Sequence, residues 1–583
     1  MYSSSVFLLR ITFATVNNPI LCVQHLSVDF KTEEETVHAI QDISFDLYSG
    51  QTLALVGESG SGKSVSALSI LGLLPFPQAK IIQGKIQFLI SEKEQINLLS
   101  CPKKTLESLR GKKIGMIFQE PMTSLNPLMR CGEQVMETII IHKKISREKA
   151  REETICLFEE VRLPVPVSIM ERYPHELSGG QKQRVMIAIA ICCNPSILIA
   201  DEPTTALDVT VQKTILDLLK DLQEKRGMAI LFITHDLNLV RNFAERVMVM
   251  YKGVSVEYGT TKEIFLNPTE TYTRGLLNCR PSKTERVRFL KTVQEVVEEK
   301  TIYKQEENTI SESDFEQRLR KLQIAKPIIE LKNLVVHYPI RKNFFGKTTT
   351  WFEAVNGVSL LVREGETMGL VGESGCGKTT IGKSIVQLAK ITNGEILYKG
   401  KNIMDFTGSE LAAYQKDVQI IFQDPYSSLN PRIPIGEAII EPMDVHGLHN
   451  SRNRKEQVME LLTMVGLLPS HYNRYPHEFS GGQRQRICIG RALALQPSFL
   501  ICDESVSALD VSIQAQVLNL LVSLRDEFQL SYLFISHDLG VVKHISDHVA
   551  VMQKGKIVEL NSSEKIYHSP NDQYTKQLIE SSL

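Results

Sequence analysis

The sequence predicts an α/β protein built from two similar domains. The chain has 583 residues, and a single hydrophobic core rarely extends beyond roughly 300 residues. One glycine-rich pattern occurs twice, as GESGSGKS at residues 57–64 and GESGCGKT at residues 372–379. Each copy follows a short apolar run, at residues 52–56 and 367–371. We therefore predict that strand, loop and helix follow one another in both halves.

The two loops fit the phosphate-binding pattern G-x-x-x-x-G-K-[ST] at every fixed position. Glycines let consecutive backbone N–H groups face a phosphate, and the helix that follows adds its positive N-terminal dipole. Lys63 and Lys378 are predicted to reach the β- and γ-phosphates of ATP, and the hydroxyls of Ser64 and Thr379 to hold Mg²⁺. A glycine-rich turn with an incidental lysine is the alternative, which two matching copies disfavour. The remaining predicted loop ligands are Gly57, Ser59, Gly60, Gly62, Gly372, Ser374, Gly375 and Gly377.

Composition limits the possible partners. The net charge is −1, so we expect no overall electrostatic attraction of the chain to nucleic acid or anionic lipid. The ten cysteines include no C-x-x-C pair, which favours reduced cytoplasmic thiols over zinc or disulfides. No segment approaches the roughly 18 apolar residues of a membrane helix, so other chains must span any membrane at which this protein acts. Residues 1–18 are expected to be a disordered or misassigned start, not a signal peptide.

Strands and helices around the first loop can be placed from periodicity. Residues 20–30 and 38–47 alternate in hydrophobicity and predict an antiparallel β lead-in. Phe30, near the end of the first strand, either stacks on an adenine or is a core aromatic. Residues 65–74 are predicted to be helical, and residues 112–118 form a buried strand that ends at Gln119. Gln119 and its counterpart Gln423 could sense Mg²⁺ or water at the γ-phosphate, while the Pro-containing loop that follows contacts a partner.

A second type of phosphate site is predicted in each half. RYPHELSGGQKQR at residues 172–184 and RYPHEFSGGQRQR at residues 474–486 place Ser-Gly-Gly before a basic helix, and a charged helical segment at residues 132–172 precedes the first copy. A helix N-terminus of this kind binds anions. The candidate ligands are Ser178, Gly179, Gly180, Ser480, Gly481 and Gly482.

Two adjacent acids end an apolar strand in each half, in ILIADE at residues 197–202 and FLICDE at residues 499–504. Burying two carboxylates without a cation is costly, which disfavours a merely solvated strand end. Asp201 and Asp503 suit Mg²⁺ through its water shell, and Glu202 and Glu504 suit a general base for the attacking water.

Four further candidates occur at matching positions. The loops after the acids end in Asp208 and Asp510, which we include among the nucleotide-binding residues. His235 and His537 each follow another apolar strand. A lone histidine is more often structural, but two at matching positions favour a catalytic contact with the γ-phosphate.

With these motifs, nearly the whole chain resembles the ATPase subunits of ATP-binding cassette (ABC) transporters. LSGGQ and FSGGQ look like the signature of that family, which closes over ATP held by the opposite half. The resemblance implies that Lys63 pairs with Ser480 and Lys378 with Ser178. It also implies two P-loop ATPase domains, at residues 19–279 and 328–583, each with a mixed RecA-like α/β core, the antiparallel lead-in and a helical signature subdomain.

Within that family, EPMTSLNP, RYPHELSGG and the tails at residues 268–277 and 570–578 are similar to the peptide and nickel importers. Tyr338 is then the second adenine-stacking aromatic. The resemblance implies an ATPase that powers import of small peptides, with glutathione the best single candidate. It further implies two transmembrane permease subunits, an extracytoplasmic binding protein and a peripheral location at the cytoplasmic face of the inner membrane, with no nucleic-acid partner.

The sequence departs from the family pattern in two places. Ser505 and Val506 stand where the first half has Pro203 and Thr204, although the acids remain, so the second site is still expected to hydrolyse ATP. Only Cys279 lies where several importers carry a cysteine cluster, which argues against an iron–sulfur centre.

Cys376 lies inside the second phosphate loop, at the position that Ser61 occupies in the first. A thiol beside Lys378 and a helix N-terminus is expected to favour its thiolate and to react readily when solvent reaches it. The alternative is an unreactive small residue that is present only because it fits the loop.

Residues 280–327 form a charged linker, and residues 281–327 contain ten basic and nine acidic residues. We interpret this linker as a solvated tether. Its near neutrality bears on the rival function, a soluble tandem-cassette ribosome-associated ATPase, whose linker is usually more basic. Such factors also usually read S-H-D-R where this chain reads THDL and SHDL.

Overall fold

The structure is a computed structural model that describes residues 18–31, 36–91, 94–119, 124–205, 207–279, 286–298, 308–342, 348–448, 451–507 and 509–582. The chain divides into two compact units. Unit 1 contains residues 1–203, 218–234 and 239–266, and unit 2 contains residues 204–217, 235–238 and 267–583.

The first half of the chain forms two sheets. One is antiparallel with strand order β2-β1-β4-β5, and the other has six strands in the order β10-β9-β3-β8-β7-β6, parallel except for the β9–β10 pair. The strands are β1 (Leu21–Lys31), β2 (Thr36–Leu47), β3 (Thr52–Val56), β4 (Ala79–Ser91), β5 (Glu94–Asn97), β6 (Ile114–Ile117), β7 (Ile197–Asp201), β8 (Ala229–Thr234), β9 (Arg246–Tyr251) and β10 (Val254–Thr260).

Helices flank these sheets and extend into the linker. They are α1 (Lys63–Leu71), α2 (Lys103–Leu109), α3 (Cys131–Lys143), α4 (Arg147–Glu160), α5 (Pro166–Met170), α6 (Gly179–Ile191), α7 (Val209–Arg226), α8 (Leu237–Val240), α9 (Thr261–Leu266), α10 (Thr271–Asn278), α11 (Val293–Val297) and α12 (Glu312–Ile324).

The second half repeats both sheets, with strand orders β12-β11-β14-β15 and β16-β17-β18-β13-β19-β20. Its strands are β11 (Pro327–Lys342), β12 (Thr348–Arg363), β13 (Thr367–Val371), β14 (Asn393–Tyr398), β15 (Lys401–Asn402), β16 (Val418–Ile421), β17 (Phe499–Asp503), β18 (Ser531–Ser536), β19 (His548–Gln553) and β20 (Lys556–Ser562). Its helices are α13 (Lys378–Ile385), α14 (Gly408–Asp417), α15 (Pro425–Ser428), α16 (Ile435–Val445), α17 (Ser451–Met464), α18 (Gly481–Leu493), α19 (Val511–Phe528), α20 (Leu539–Ile545), α21 (Ser563–His568) and α22 (Gln573–Ser582).

The predicted α/β class and the antiparallel lead-in are confirmed. All five residues of β3 and all five of β7 are buried, because strands of a sheet covered on both faces need continuous apolar runs. The helix after the first loop begins at Lys63 and ends at Leu71, earlier than residues 65–74 suggest, since Gly72 adopts a left-handed conformation there. β4 and β5 were not predicted.

The prediction of a solvated tether is wrong for residues 286–298 and 308–324. The Arg286 guanidinium donates to the backbone oxygen of Ser546 at 2.7 Å and lies 3.7 Å from the centre of the Phe315 ring. Leu290 is 3% exposed, and its N–H donates to the Asn519 side chain at 2.8 Å. These linker segments therefore pack against the second cassette within unit 2. The first 17 residues and linker residues 280–285 and 299–307 lie outside the described residues.

Candidate functional site

The phosphate loops need glycine because other backbone lies close to them. A Cβ atom at Gly57 would lie 2.2 Å from the Met250 oxygen, and one at Gly372 would lie 2.1 Å from the Met552 oxygen. Gly62 and Gly377 also have φ angles of 99° and 108°, which side chains disfavour. Each loop thus turns tightly against the neighbouring strand and leads straight into a helix.

Each loop lysine is buried and held by its own loop. Lys63 Nζ donates to the carbonyl oxygens of Gly57 and Glu58, both at 2.8 Å. Lys378 Nζ donates to the corresponding oxygens of Gly372 and Glu373 at 2.7 and 3.0 Å. Both ammonium groups therefore lie inside the curl of the loop, where a bound phosphate would replace carbonyl oxygens as their partner.

The predicted metal ligands meet in pairs. Ser64 Oγ donates to Asp201 Oδ1 at 3.0 Å, and Thr379 Oγ1 donates to Asp503 Oδ1 at 2.9 Å. Burial raises the pKa of Asp201 to about 6, and burial also raises the pKa of Asp503. A desolvated carboxylate beside a hydroxyl is a donor set that Mg²⁺ fits, with phosphate and water completing its shell. Among the described residues, no group of three or more His, Cys, Asp or Glu side chains is arranged to hold a metal.

The candidate bases have an unusual backbone. Glu202 and Glu504 have φ angles of 46° and 47°, and their N–H groups donate at 2.9 Å to Ile233 and Ile535 on the adjacent strands. A left-handed conformation costs a non-glycine residue roughly 1 kcal/mol or more and is typical of functional sites. Each acid directly follows a buried strand, β7 or β17.

Both glutamines contact these carboxylates. Gln119 Nε2 donates to Glu202 Oε2 at 3.1 Å, and Gln423 Nε2 donates to Glu504 Oε2 at 3.0 Å. The sequence predicted a role for the glutamines toward Mg²⁺ or water, but their contact with the acid was not predicted. The loop residues 120–123 after Gln119 lie outside the described residues.

In unit 2 the structure also brings His537 and Lys378 to the base. His537 Nδ1 lies 3.4 Å and Lys378 Nζ 3.9 Å from the two oxygens of Glu504. Although burial opposes both effects, the contact raises the pKa of His537 and lowers the pKa of Glu504. Glu504 is therefore an ionised carboxylate that accepts a hydrogen bond from Gln423 and lies beside His537 and Lys378. His235 directly follows β8, as predicted.

Asp208 and Asp510 lie at the start of long helices. Asp208 is 8% exposed, and its Oδ1 accepts from the Val211 N–H at 2.9 Å, which caps α7. Asp510 is the N-cap residue of α19. The capping contact accounts for Asp208 locally, and its role toward nucleotide stays a prediction.

Each Ser-Gly-Gly segment begins a helix, as predicted. Ser178 caps α6 and Ser480 caps α18, each by a reciprocal pair of hydrogen bonds with Gln181 or Gln483. Both serines and Gly179 are exposed and Gly180 and Gly481 are half-buried, whereas Gly482 is buried. Such termini can receive an anion.

The two candidate adenine-binding aromatics differ. Phe30 packs, partly buried, against the core of unit 1. Tyr338 is 39% exposed and lines a cavity of about 340 Å³ together with Gly375, Lys378 and Glu504. Phe352, which was not predicted, lines the same cavity and lies opposite Tyr338 across the β11–β12 pair. The alternation of β12 could have revealed it.

The expectation for Cys376 is wrong. The thiol is 7% exposed, and burial raises its pKa even though Lys378 opposes that effect. Desolvation of the thiolate outweighs the attraction of the Lys378 ammonium group, although Nζ donates to Cys376 Sγ at 3.8 Å as well as to two backbone oxygens of the loop.

Comparisons with known proteins identify the family. The ABC transporter profile matches residues 40–205 and 355–507, and the C-terminal region of oligopeptide/dipeptide transporters matches residues 256–305. The chain belongs to the ABC transporter family. It is an ATP-hydrolysing subunit with two ABC cassettes, and the resemblance noted from its motifs is confirmed.

The relatives are similar along almost their whole length. The chain is 45% identical over 557 residues to the glutathione import ATP-binding protein GsiA of Pectobacterium atrosepticum, covering 96% of this chain and 88% of the relative. It is 45% identical over 560 residues to GsiA of Escherichia coli strain K12, covering 96% and 89%. A solved ABC cassette, MJ0796, aligns with 41% of this chain and 98% of its own at 30% identity and a TM-score of 0.37. A search of the described helices finds none that is long and apolar enough to span a membrane.

Proposed function

We propose that this ABC ATPase powers the import of small peptides, with glutathione as the favoured cargo. The observation that carries the proposal is the 45% identity to glutathione import ATP-binding proteins over 96% of the chain. The oligopeptide/dipeptide transporter match after the first cassette supports the same group. The partners would be two permease subunits and an extracytoplasmic binding protein, with this chain at the cytoplasmic face of the inner membrane.

The geometry of each site supports the chemistry that we assign to it. Lys63 and Lys378 neutralise the phosphates, and the loop N–H groups orient them. Mg²⁺, held through Ser64, Thr379 and the paired aspartates, would supply charge neutralisation when bound.

Glu202 and Glu504 accept a proton from the attacking water, a role supported by their position directly after β7 and β17 and by their left-handed backbone. Gln119 and Gln423 hold these carboxylates through their amide groups. His537 and, by its matching position, His235 stabilise charge at the γ-phosphate.

We further propose that each phosphate loop works with the signature of the other cassette, Lys63 with Ser480 and Lys378 with Ser178. The helix N-termini that begin at the exposed Ser178 and Ser480 support this pairing, because backbone N–H groups at such a position can bind a phosphate. ATP binding would close the cassettes, and hydrolysis would reopen them.

Uptake measurements test the cargo. A strain that lacks this gene is complemented with the natural gene or with Glu202→Gln combined with Glu504→Gln, and uptake of labelled glutathione, a dipeptide and an oligopeptide is followed. We expect only the natural gene to restore uptake, with glutathione preferred. Restored uptake of the dipeptide or the oligopeptide without glutathione uptake would indicate that the cargo is a peptide other than glutathione. No restored uptake of any of the three would refute the proposal. The ribosome-associated alternative finds no support in the comparisons.

A further inference from the structure

The C-terminal tail contacts the second phosphate loop. The N–H of Glu373, inside the loop, donates to the Tyr574 hydroxyl at 3.1 Å, across 201 positions of sequence. Tyr574 lies at the start of α22 and is 9% exposed. Burial raises its pKa to about 12, so at neutral pH it presents an uncharged hydroxyl to the loop. The contact thus joins the loop to a residue that belongs to none of the predicted nucleotide motifs.

The contact fixes a peptide plane that also holds the loop lysine. The N–H of Glu373 and the carbonyl of Gly372 belong to one planar peptide unit, so a bond to one orients the other. The Gly372 oxygen accepts from Lys378 Nζ at 2.7 Å. Because Gly372 is a glycine, its own φ and ψ are intrinsically permissive, so hydrogen bonds to this peptide help to fix its orientation. Tyr574 supplies the restraint that the glycine lacks.

The tail is itself held in place before it reaches the loop. Asp572 Oδ1 accepts from the Tyr574 N–H at 2.8 Å. Glu559, on β20 and 9% exposed, accepts from the N–H groups of Asn571 and Asp572 at 2.9 and 3.2 Å. The chain is thus anchored to the edge of the sheet, and the tyrosine hydroxyl is a fixed acceptor.

We propose that Tyr574 is a positioning residue for ATP at the second site, which it preorganises through the Gly372–Glu373 peptide. The proposal rests on the assigned role of this loop in binding ATP. A preorganised loop binds its ligand more tightly, because less ordering is left for the moment of binding. The role explains why PNDQYTKQL, a tail far from every nucleotide motif in sequence, carries a buried tyrosine.

Nucleotide titration tests the proposal on the full chain carrying Lys63→Ala, which disables the first loop. We expect Tyr574→Phe, which removes only the hydroxyl, to raise the Kd for Mg-ATP about two- to tenfold, the range for one net hydrogen bond. Without Lys63→Ala, the KM for ATP should rise while kcat holds.

Tyr567→Phe is the matched control. The Tyr567 hydroxyl is buried on α21 and has no hydrogen-bond partner among the described residues, so its removal should leave the Kd unchanged. Asp572→Ala is the second variant, since it frees the Tyr574 N–H and keeps the hydroxyl. It should shift the Kd in the same direction by a smaller factor and keeps the test informative if Tyr574→Phe does not fold.

Three results would overturn the inference. An unchanged Kd in both Tyr574→Phe and Asp572→Ala would show that the tail does not position the loop. Equal shifts in Tyr574→Phe and the Tyr567→Phe control would indicate a general loss of stability. Absence of ATP binding by the Lys63→Ala parent would instead refute the role assigned to the second loop, and the inference with it.

Discussion

Replacing Arg318 with alanine should destabilise unit 2 because the linker would lose its strongest contact. Arg318 Nε and one of its terminal nitrogens donate to the two oxygens of Asp547 at 2.5 and 2.9 Å. The Asp547 side chain is 2% exposed, and its Oδ2 also accepts from the Thr367 N–H at 2.9 Å, where β13 begins. The pair therefore ties the linker to the strand that leads into the second phosphate loop.

The magnitude follows from the burial of the two partners. Removing one partner of a fully buried ion pair costs about 3 to 5 kcal/mol, because the other charge is left desolvated. Arg318 retains 36% of its side-chain exposure, so water partly replaces it, and we expect about 2 kcal/mol. Burial alone would raise the pKa of Asp547, but Arg318 lowers it. The stabilisation from this pair is thus present above the usual carboxylate pKa of about 4 and is lost as pH falls through the lowered pKa.

Urea unfolding measures this effect in the right unit, because the only tryptophan of the chain, Trp351, lies on β12. Arg320→Ala is the matched control. Arg320 is 78% exposed and pairs at 3.5 Å with the exposed Glu316 four residues earlier on α12, a contact that contributes about 0.3 to 0.5 kcal/mol. Equal urea midpoints for Arg318→Ala and Arg320→Ala would refute this reasoning and would favour the interpretation of the linker as a solvated tether.

Three further predictions concern the sites and the core. Combining Glu202→Gln with Glu504→Gln should lower ATP turnover about 10² to 10⁴-fold with ATP binding retained, and turnover equal to that of the unaltered chain would sink their assignment as bases. Burial, with a smaller effect from Arg286 and Arg525, lowers the pKa of His544 to about 3, so unit 2 should lose about 1.4 kcal/mol of stability per pH unit below about 6.5. His544→Gln should remove that slope from the Trp351 urea midpoints, and an unchanged slope would exclude His544 as its source. Cys376 should react with maleimide more slowly than an exposed thiol, and a mass shift at this residue within the time that exposed Cys156 takes would contradict its burial.

The sequence predicted the nucleotide loops well because their requirements are local. A Cβ atom at Gly57 would lie 2.2 Å from the Met250 oxygen, so this position of the turn accepts no side chain. The required glycine can therefore be recognised in the sequence pattern. Asp201 and Glu202 were visible for a similar reason, since two acids at the end of an apolar strand are costly to bury without a cation. Their roles toward ATP stay predictions.

Contacts between distant segments were not predictable in the same way. The bond from Gln423 to Glu504 joins residues 81 positions apart, and that from Glu373 to Tyr574 joins residues 201 apart. Periodicity describes neighbours along one element and carries no information on which side chain from another element fills the space beside it. The reactive-thiol hypothesis for Cys376 failed similarly, because its desolvation comes from packing around the loop.

The linker error has a definite physical cause, which the first half of the chain makes clear. There, the N–H of Thr52 at the start of β3 donates to Glu245 at 2.7 Å, and Glu245 is solvent-exposed. In the second half the same contact is made by Thr367 with Asp547, whose shorter side chain is buried. An exposed carboxylate is solvated by water, whereas a buried one needs a cation, and Arg318 of the linker supplies it. Taken alone, the linker sequence has nearly equal numbers of basic and acidic residues, which favours a solvated tether. The need for its arginine arises from Asp547, more than 200 positions later, and only the folded chain brings the two together.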